Sequence, residues 1–203
     1  MLEYSEACER NKRPILGILR DALVDSVSVL EIGAGTGQHA VFFTRDLEHV
    51  TWTPTERPAG VTALRARIEV EGGGNVSAPL ELDVNDDPWP AAVRDREYDA
   101  VYSANTLHIM SWTSVEALFD GVGGVLARGG TLCVYGPFRY GREFTTPSNA
   151  RFDESLRARD PDSGIRDFEA VSALARDQGL ELHADHAMPA NNQLLIWRRG
   201  TDR

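Results

Sequence analysis

Val29-Leu30-Glu31-Ile32-Gly33-Ala34-Gly35-Thr36-Gly37 reads as a buried strand that ends in an acidic residue and turns on three alternating glycines into a helix starting near Gln38. Glycine reaches positive φ without strain and carries no Cβ, so a ligand can lie against the backbone where a sheet opens. The spacing is E-x-G-x-G-x-G. It is neither the dinucleotide fingerprint G-x-G-x-x-G nor the phosphate loop G-x-x-x-x-G-K-[ST], and no Lys follows Gly37. A glycine turn with only a structural job is the competing reading.

Further polar residues recur at strand ends. Val50-Thr51-Trp52-Thr53 reads as a second strand, and Glu56 follows 19 residues after Gly37. A carboxylate about 20 residues past such a turn is where nucleotide-binding α/β folds accept hydrogen bonds from ribose hydroxyls. An exposed loop Glu is the alternative, and the adjacent Arg57 also suits a phosphate. Leu80-Glu81-Leu82-Asp83-Val84 alternates like a third strand. Tyr98 to Met110 contains Ala100, Val101 and Tyr102, suited to a strand buried on both faces. Ser103, Asn105 and His108 then fall at its carboxyl end, where open α/β sheets hold ligands. The ordinary pKa of His108 suits a general base near neutrality, although a His packed under a helix is the usual alternative.

The E-x-G-x-G-x-G run resembles motif I of class I S-adenosylmethionine (SAM)-dependent methyltransferases. The resemblance implies that Gly33, Ala34, Gly35 and Gly37 pass under the amino acid part of SAM and that Glu31 orients its ammonium. It implies that Asp83 and the Val84 amide meet the adenine, and that the fourth-strand end, with Ser103 and Asn105, lies beside the sulfonium methyl and the acceptor. Asp83 as the opener of the turn Asn85-Asp86-Asp87-Pro88 is the competing reading. Trp89 fits either the adenine face or the core.

Composition bounds the function. The 203 residues suit a single α/β domain spanning 1–203. A net charge of −10 argues against a phosphate-binding surface for nucleic acid and against an anionic membrane surface. Cys8 and Cys133 give neither metal spacing nor a disulfide framework. There is no signal-like apolar segment at the amino terminus and no membrane-length apolar run, so a cytoplasmic protein is expected.

The rest of the chain alternates helix and strand. Pro14–Leu23, the segment after Gly37, Val61–Val70, the Val115–Leu126 stripe and Asp167–Gln178 read as helices. Thr131–Tyr135, Leu180–His183 and Gln193–Trp197 read as strands five to seven. The last connection is too short for a crossover, which makes strand seven antiparallel. The expected architecture is a three-layer Rossmann-like fold with sheet order 3-2-1-4-5-7-6, the class I methyltransferase pattern.

Two segments lie outside that scaffold, Tyr4–Lys12 and a stretch over 136–166. The runs S-E-A-C-E-R-N-K, L-E-I-G-A-G-T-G-Q-H-A, S-A-N-T-L-H-I-M-S-W, Y-G-P-F, S-N-A-R-F-D and R-D-P-D-S-G-I-R-D-F-E are similar to the methyltransferase-like 26 family, whose acceptor is undefined. Residues 1–12 are expected to form a lid, with Arg10 and Asn11 on the SAM carboxylate and Tyr4 near the acceptor; a solvated extension of the first helix is the alternative. Tyr4, Asn105 and His108 are the candidate catalytic residues. Phe138, Tyr140, Phe144 and Phe152 are expected to wall the acceptor pocket, with Arg139, Arg142, Arg157 and Arg159 as forks for an acidic group; core packing and a solvated helix face are the alternatives. The expected activity is methyl transfer from SAM, giving S-adenosylhomocysteine (SAH), to a small-molecule acceptor at oxygen or nitrogen, with no metal and the oligomeric state open. A protein or RNA methyltransferase, and a SAM-binding protein without transfer activity, are the alternatives.

Overall fold

Val29 and Leu30 are neighbours in sequence and bury into opposite hydrophobic layers. Val29 belongs with Ile15, Leu19 and Phe43, and Leu30 with Phe119, Leu132 and Trp197. The same period of two sends Ala100 and Tyr102 one way and Val101 the other, and it recurs at Cys133/Val134 and Leu194/Leu195. Strands apolar on both faces need a helical layer on each side. The structure is a computed structural model and describes residues 2–201; Met1, Asp202 and Arg203, the ends of the expected domain, lie outside the described residues.

In chain order the elements are α1 (Glu6–Ala22), β1 (Ser28–Ile32), α2 (Gln38–Thr44), β2 (Thr51–Glu56), α3 (Val61–Glu71), β3 (Leu80–Glu81), α4 (Ala91–Arg94) and β4 (Tyr98–Ala104). After a 3₁₀ turn (Leu107–Ile109) come α5 (Trp112–Val125), β5 (Leu126–Gly136), β6 (Phe138–Tyr140), β7 (Glu143–Phe144), α6 (Pro147–Arg159), β8 (Arg166–Asp167), α7 (Phe168–Asp177), β9 (Leu180–Met188) and β10 (Asn192–Arg199). The main sheet has seven strands in the order β3-β2-β1-β4-β5-β10-β9. Counted along the chain this is the expected 3-2-1-4-5-7-6. All pairs from β3 to β5 are parallel, and β10 is antiparallel to both of its neighbours. Core residues of α1 and α2 pack on one face and those of α5 and α7 on the other. Among the described residues no helix is long and apolar enough to cross a membrane.

One expectation is corrected. The first helix begins at Glu6 rather than Pro14, because Ser5 Oγ caps it by accepting the Cys8 amide and Glu6 and Glu9 sit in its first turn. Pro14 lies inside the helix without ending it. The 136–166 stretch outside the scaffold is built of regular elements. It forms a second sheet, β7-β6-β8, with α6 lying between β7 and β8 in sequence.

Trp89 is a core residue. Its indole Nε1 donates to the Val84 carbonyl at 3.1 Å, and its ring lies so close to α5 that a Cβ on Gly121 would stand 1.9 Å from Cζ2. Gly121→Ala is therefore expected to destabilise the fold. Overpacking costs about 1–3 kcal/mol, and a ring overlap this deep belongs at the upper end. The better helix propensity of Ala offsets only about 1 kcal/mol. Urea denaturation checks this; an unchanged or raised midpoint contradicts the packing.

Candidate cofactor cleft

The carboxyl ends of β1, β2 and β4 open onto a cleft of about 500 Å³. Its floor is residues 33–36 of the glycine turn, in which Gly33, Gly35 and, behind the lining, Gly37 have φ of 70°, 55° and 75°. Their missing side chains have two different reasons. A Cβ on Gly33 would meet Thr106 Cγ2 at 2.7 Å, and one on Gly37 would meet Leu64 Cδ1 at 2.7 Å. At Gly35 nothing lies within 4 Å, and the residue lines the cleft. Ala34 lines it too, and its amide donates to the Thr55 carbonyl at 2.8 Å, tying the turn to β2.

Three of the expected carboxylates line this same cleft: Glu31, Glu56 and Asp83. Glu31 is buried, and its Oε2 accepts the Trp52 indole N–H at 2.7 Å. Burial pushes its carboxyl up to about 7, aided by the nearby Glu56 and opposed by the Trp52 bond. Glu56 Oε2 accepts the Gly35 amide at 2.8 Å, and Oε1 the Arg57 amide at 2.9 Å, so the side chain braces the glycine turn. Asp83 lines the cleft, and its Oδ1 also accepts the Asn85 amide at 3.0 Å to open the turn. Val84 and Asn105 are lining residues as well. Asn105 holds a left-handed backbone, φ 59°, with its amide bonded to the Tyr135 carbonyl at 2.8 Å. Such a conformation in a non-glycine residue concentrates at ligand sites.

Other expected site residues lie elsewhere. Ser103 is sealed beneath the turn, its Oγ donating to the Ile32 carbonyl at 2.9 Å and pairing with Thr106 Oγ1. His108 is not among the lining residues; it packs edge-on against Phe152 at 5.5 Å, and burial with Arg166 and Arg159 nearby depresses it to about 4. Arg10 pairs with Glu6 on an exposed face, and Asn11 Oδ1 bonds His39 Nε2 at 2.7 Å inside the protein. Tyr4 is exposed and faces a separate groove beside α2. The amino-terminal residues that do reach the cleft are Ser5, Ala7 and Cys8, because the helix starting at Glu6 turns the other side chains away.

The expected acceptor wall is also elsewhere. Phe138 is core, Arg139 faces Asp167 at 3.6 Å, and the Tyr140 hydroxyl donates to Asp185 at 2.7 Å while its ring stacks on Phe168. Arg157 pairs with Asp153 at 2.8 Å. The cleft instead presents Ile109, Met110, Asp160 and Asp162, with Arg57 as its cation among the described residues. Sequence reasoning missed His39, which lines the cleft with both ring nitrogens engaged, Nε2 to Asn11 and Nδ1 to the Tyr102 hydroxyl at 3.2 Å. Burial holds it neutral, near 4. Its place two residues past Gly37 was the available signal. Among the described residues no group of three or more His, Cys, Asp or Glu could hold a metal ion.

The raised pKa of Glu31 has a fixed sign. The protonated form stabilises the free chain below the ordinary 4.5, and that contribution is lost as pH rises through about 7. Glu31→Gln keeps an acceptor for Trp52 without a charge. Its stability relative to wild type should therefore climb across that window when measured by denaturation without ligand. A flat difference contradicts a buried titrating carboxyl.

Solved methyltransferases share the fold. An O-methyltransferase family protein from Burkholderia thailandensis superposes with a TM-score of 0.83 at 18% identity, over 98% of this chain and 59% of its own. Human N-acetylserotonin methyltransferase in complex with SAM gives 0.80 at 17%, over 97% and 53%. PigF with SAH gives 0.76 at 15%, over 92% and 55%. This chain thus spans little more than half the length of these proteins. Residues 2–199 match the sequence family described as Protein of unknown function (DUF938), and the chain belongs to that family.

Proposed function

We propose that the chain is a SAM-dependent methyltransferase that modifies a small molecule at oxygen or nitrogen. The observation that carries this reading is Gly35, the one glycine of the turn whose missing Cβ leaves open cleft, flanked by Glu31, Glu56 and Asp83. Glu31 ionises against the cofactor's ammonium. The remaining lone pairs of Glu56 accept from the ribose hydroxyls, and Asp83 with the Val84 backbone meets the adenine. The amino terminus of α1, exposed to the cleft at Ser5 and Ala7, favours the cofactor carboxylate. The resemblance to the methyltransferase-like 26 family belongs to the same proposal.

The bound cofactor supplies a methyl group already activated on a sulfonium. The chain holds an acceptor lone pair in line with it, about 3–3.5 Å from the methyl carbon. Asn105 is the side chain we assign to that end of the cleft. His108 and Tyr4 carry no proton in this reading, since neither lines the cleft. A small acceptor agrees with a cleft volume in the range of ligand pockets and with the net charge of −10.

Calorimetry with SAH should show binding to the wild-type chain and none to Gly35→Val, whose side chain would occupy the cofactor's space; equal binding by both contradicts the site. Methyl-labelled SAM incubated with fractionated cell extract should label small molecules. Label confined to protein or RNA supports those acceptors instead, and SAH binding without any transfer supports a binding protein.

Glu56→Ala should weaken SAH binding by at least tenfold, since a charged hydrogen bond is worth about 1.5–3 kcal/mol. A variant that melts much earlier yet binds SAH normally would make Glu56 purely structural.

A further inference from the structure

Two side chains outside the cleft join its floor to the amino-terminal segment. Arg67, on α3, is buried, and its guanidinium is divided three ways. Nε donates to the carbonyl of Thr36 in the glycine turn at 2.6 Å, Nη2 to the carbonyl of Glu3, and Nη1 to the Glu71 carboxylate at 2.7 Å. Gln38, the first residue of α2, makes a second join. Its Oε1 accepts the Ser5 amide at 2.5 Å and the Thr36 hydroxyl at 3.0 Å. Thr36 and Glu3 are thus connected through one guanidinium, and Thr36 and Ser5 through one amide oxygen. Next to these bonds, Ser5, Ala7 and Cys8 line the same cleft as the turn.

We propose that Arg67 and Gln38 are positioning residues that staple residues 3–8 to the glycine turn at the cleft, so that release and entry of the cofactor require the staple to open. The inference rests on the cofactor assignment above. Neither side chain is a cleft-lining residue, and neither is needed to touch the ligand. Their effect is transmitted through Thr36, next to Gly35 and Gly37, and through the Glu3 and Ser5 backbone. The guanidinium suits the task because its planar fork reaches two carbonyls and a carboxylate at once, a geometry that a Lys ammonium on a flexible stem does not preset. The Glu71 partner holds the fork in place, at the edge of a separate groove shared with Leu2 and Tyr4. A strap of this kind gates exchange with solvent while leaving the contacts to the ligand unchanged.

The test is stopped-flow measurement of SAH association and release with the full chain, its Arg67→Ala, Arg67→Lys and Gln38→Ala variants, and amide hydrogen exchange in the wild type. Arg67→Ala and Gln38→Ala should each speed release about tenfold or more, as loss of one strong hydrogen bond allows, with association faster too. Arg67→Lys should recover only part of the wild-type rate. In the wild type, saturating SAH should slow exchange of the Ser5 amide. Variants that remain folded and release SAH at the wild-type rate overturn the staple, as does a Ser5 amide whose exchange ignores SAH, and this last readout stands even where a variant does not fold. Failure of the wild-type chain to bind SAH at all overturns instead the cofactor assignment beneath it.

Discussion

The path of the backbone from Gly33 to Gly37 constrains everything around it. Three left-handed residues in five turn the chain from the end of β1 directly into α2, and two of them sit where any methyl would strike Thr106 or Leu64. The turn is held from three sides: by the Thr55 carbonyl, by the Glu56 carboxylate and by Arg67. Those bonds come from β2, the end of β2 and α3, so the order of strands in the sheet is what places them. The cleft exists because the backbone is pinned at its ends and bare at Gly35.

Charge completes the site. A buried carboxyl at Glu31 is costly to ionise, and in the free chain burial holds it partly protonated near neutrality. A cationic ligand reverses that balance by giving the charge a partner. Together with Glu56, Asp83, Asp160 and Asp162 against Arg57, Glu31 gives the cleft an excess of carboxylates, while Arg139 and Arg157, expected to recognise an acidic acceptor, pair with Asp167 and Asp153 instead. His39 and His108 are both neutral at physiological pH, so the electrostatic character of the region is set by its carboxylates.

The architecture was legible in the sequence because it rests on local patterns. Central strands with apolar runs, a glycine turn after the first, and acids at strand tips are all readable from spacing. Glu31, Gly35, Glu56, Asp83 and Asn105 share one cleft for that reason. What was not legible depends on direction. Arg10 and Asn11 were expected at the cofactor and Tyr4 near the acceptor, yet the cap at Ser5 starts the helix early and turns them away, leaving Ala7 and Cys8 inside. Phe138 and Tyr140 look like pocket aromatics until β6 pairs with β7 and β8 and carries them to the core and its margin. Arg67 and Gln38 gave no signal, since the bonds that join them to residues 3–5 go to a backbone carbonyl and a backbone amide distant in sequence.

The central claim is that one ligand lies across Gly35 with its two ends at Glu31 and Asp83. A crystal structure of the chain grown with SAH tests this most directly. The account predicts the adenine beside Asp83 and Val84, the ribose on Glu56, and the amino acid end over Gly35 toward Glu31 and beneath Ser5. Crystals grown at saturating SAH with the ligand bound away from the glycine turn, or with the cleft still open to solvent, would contradict it.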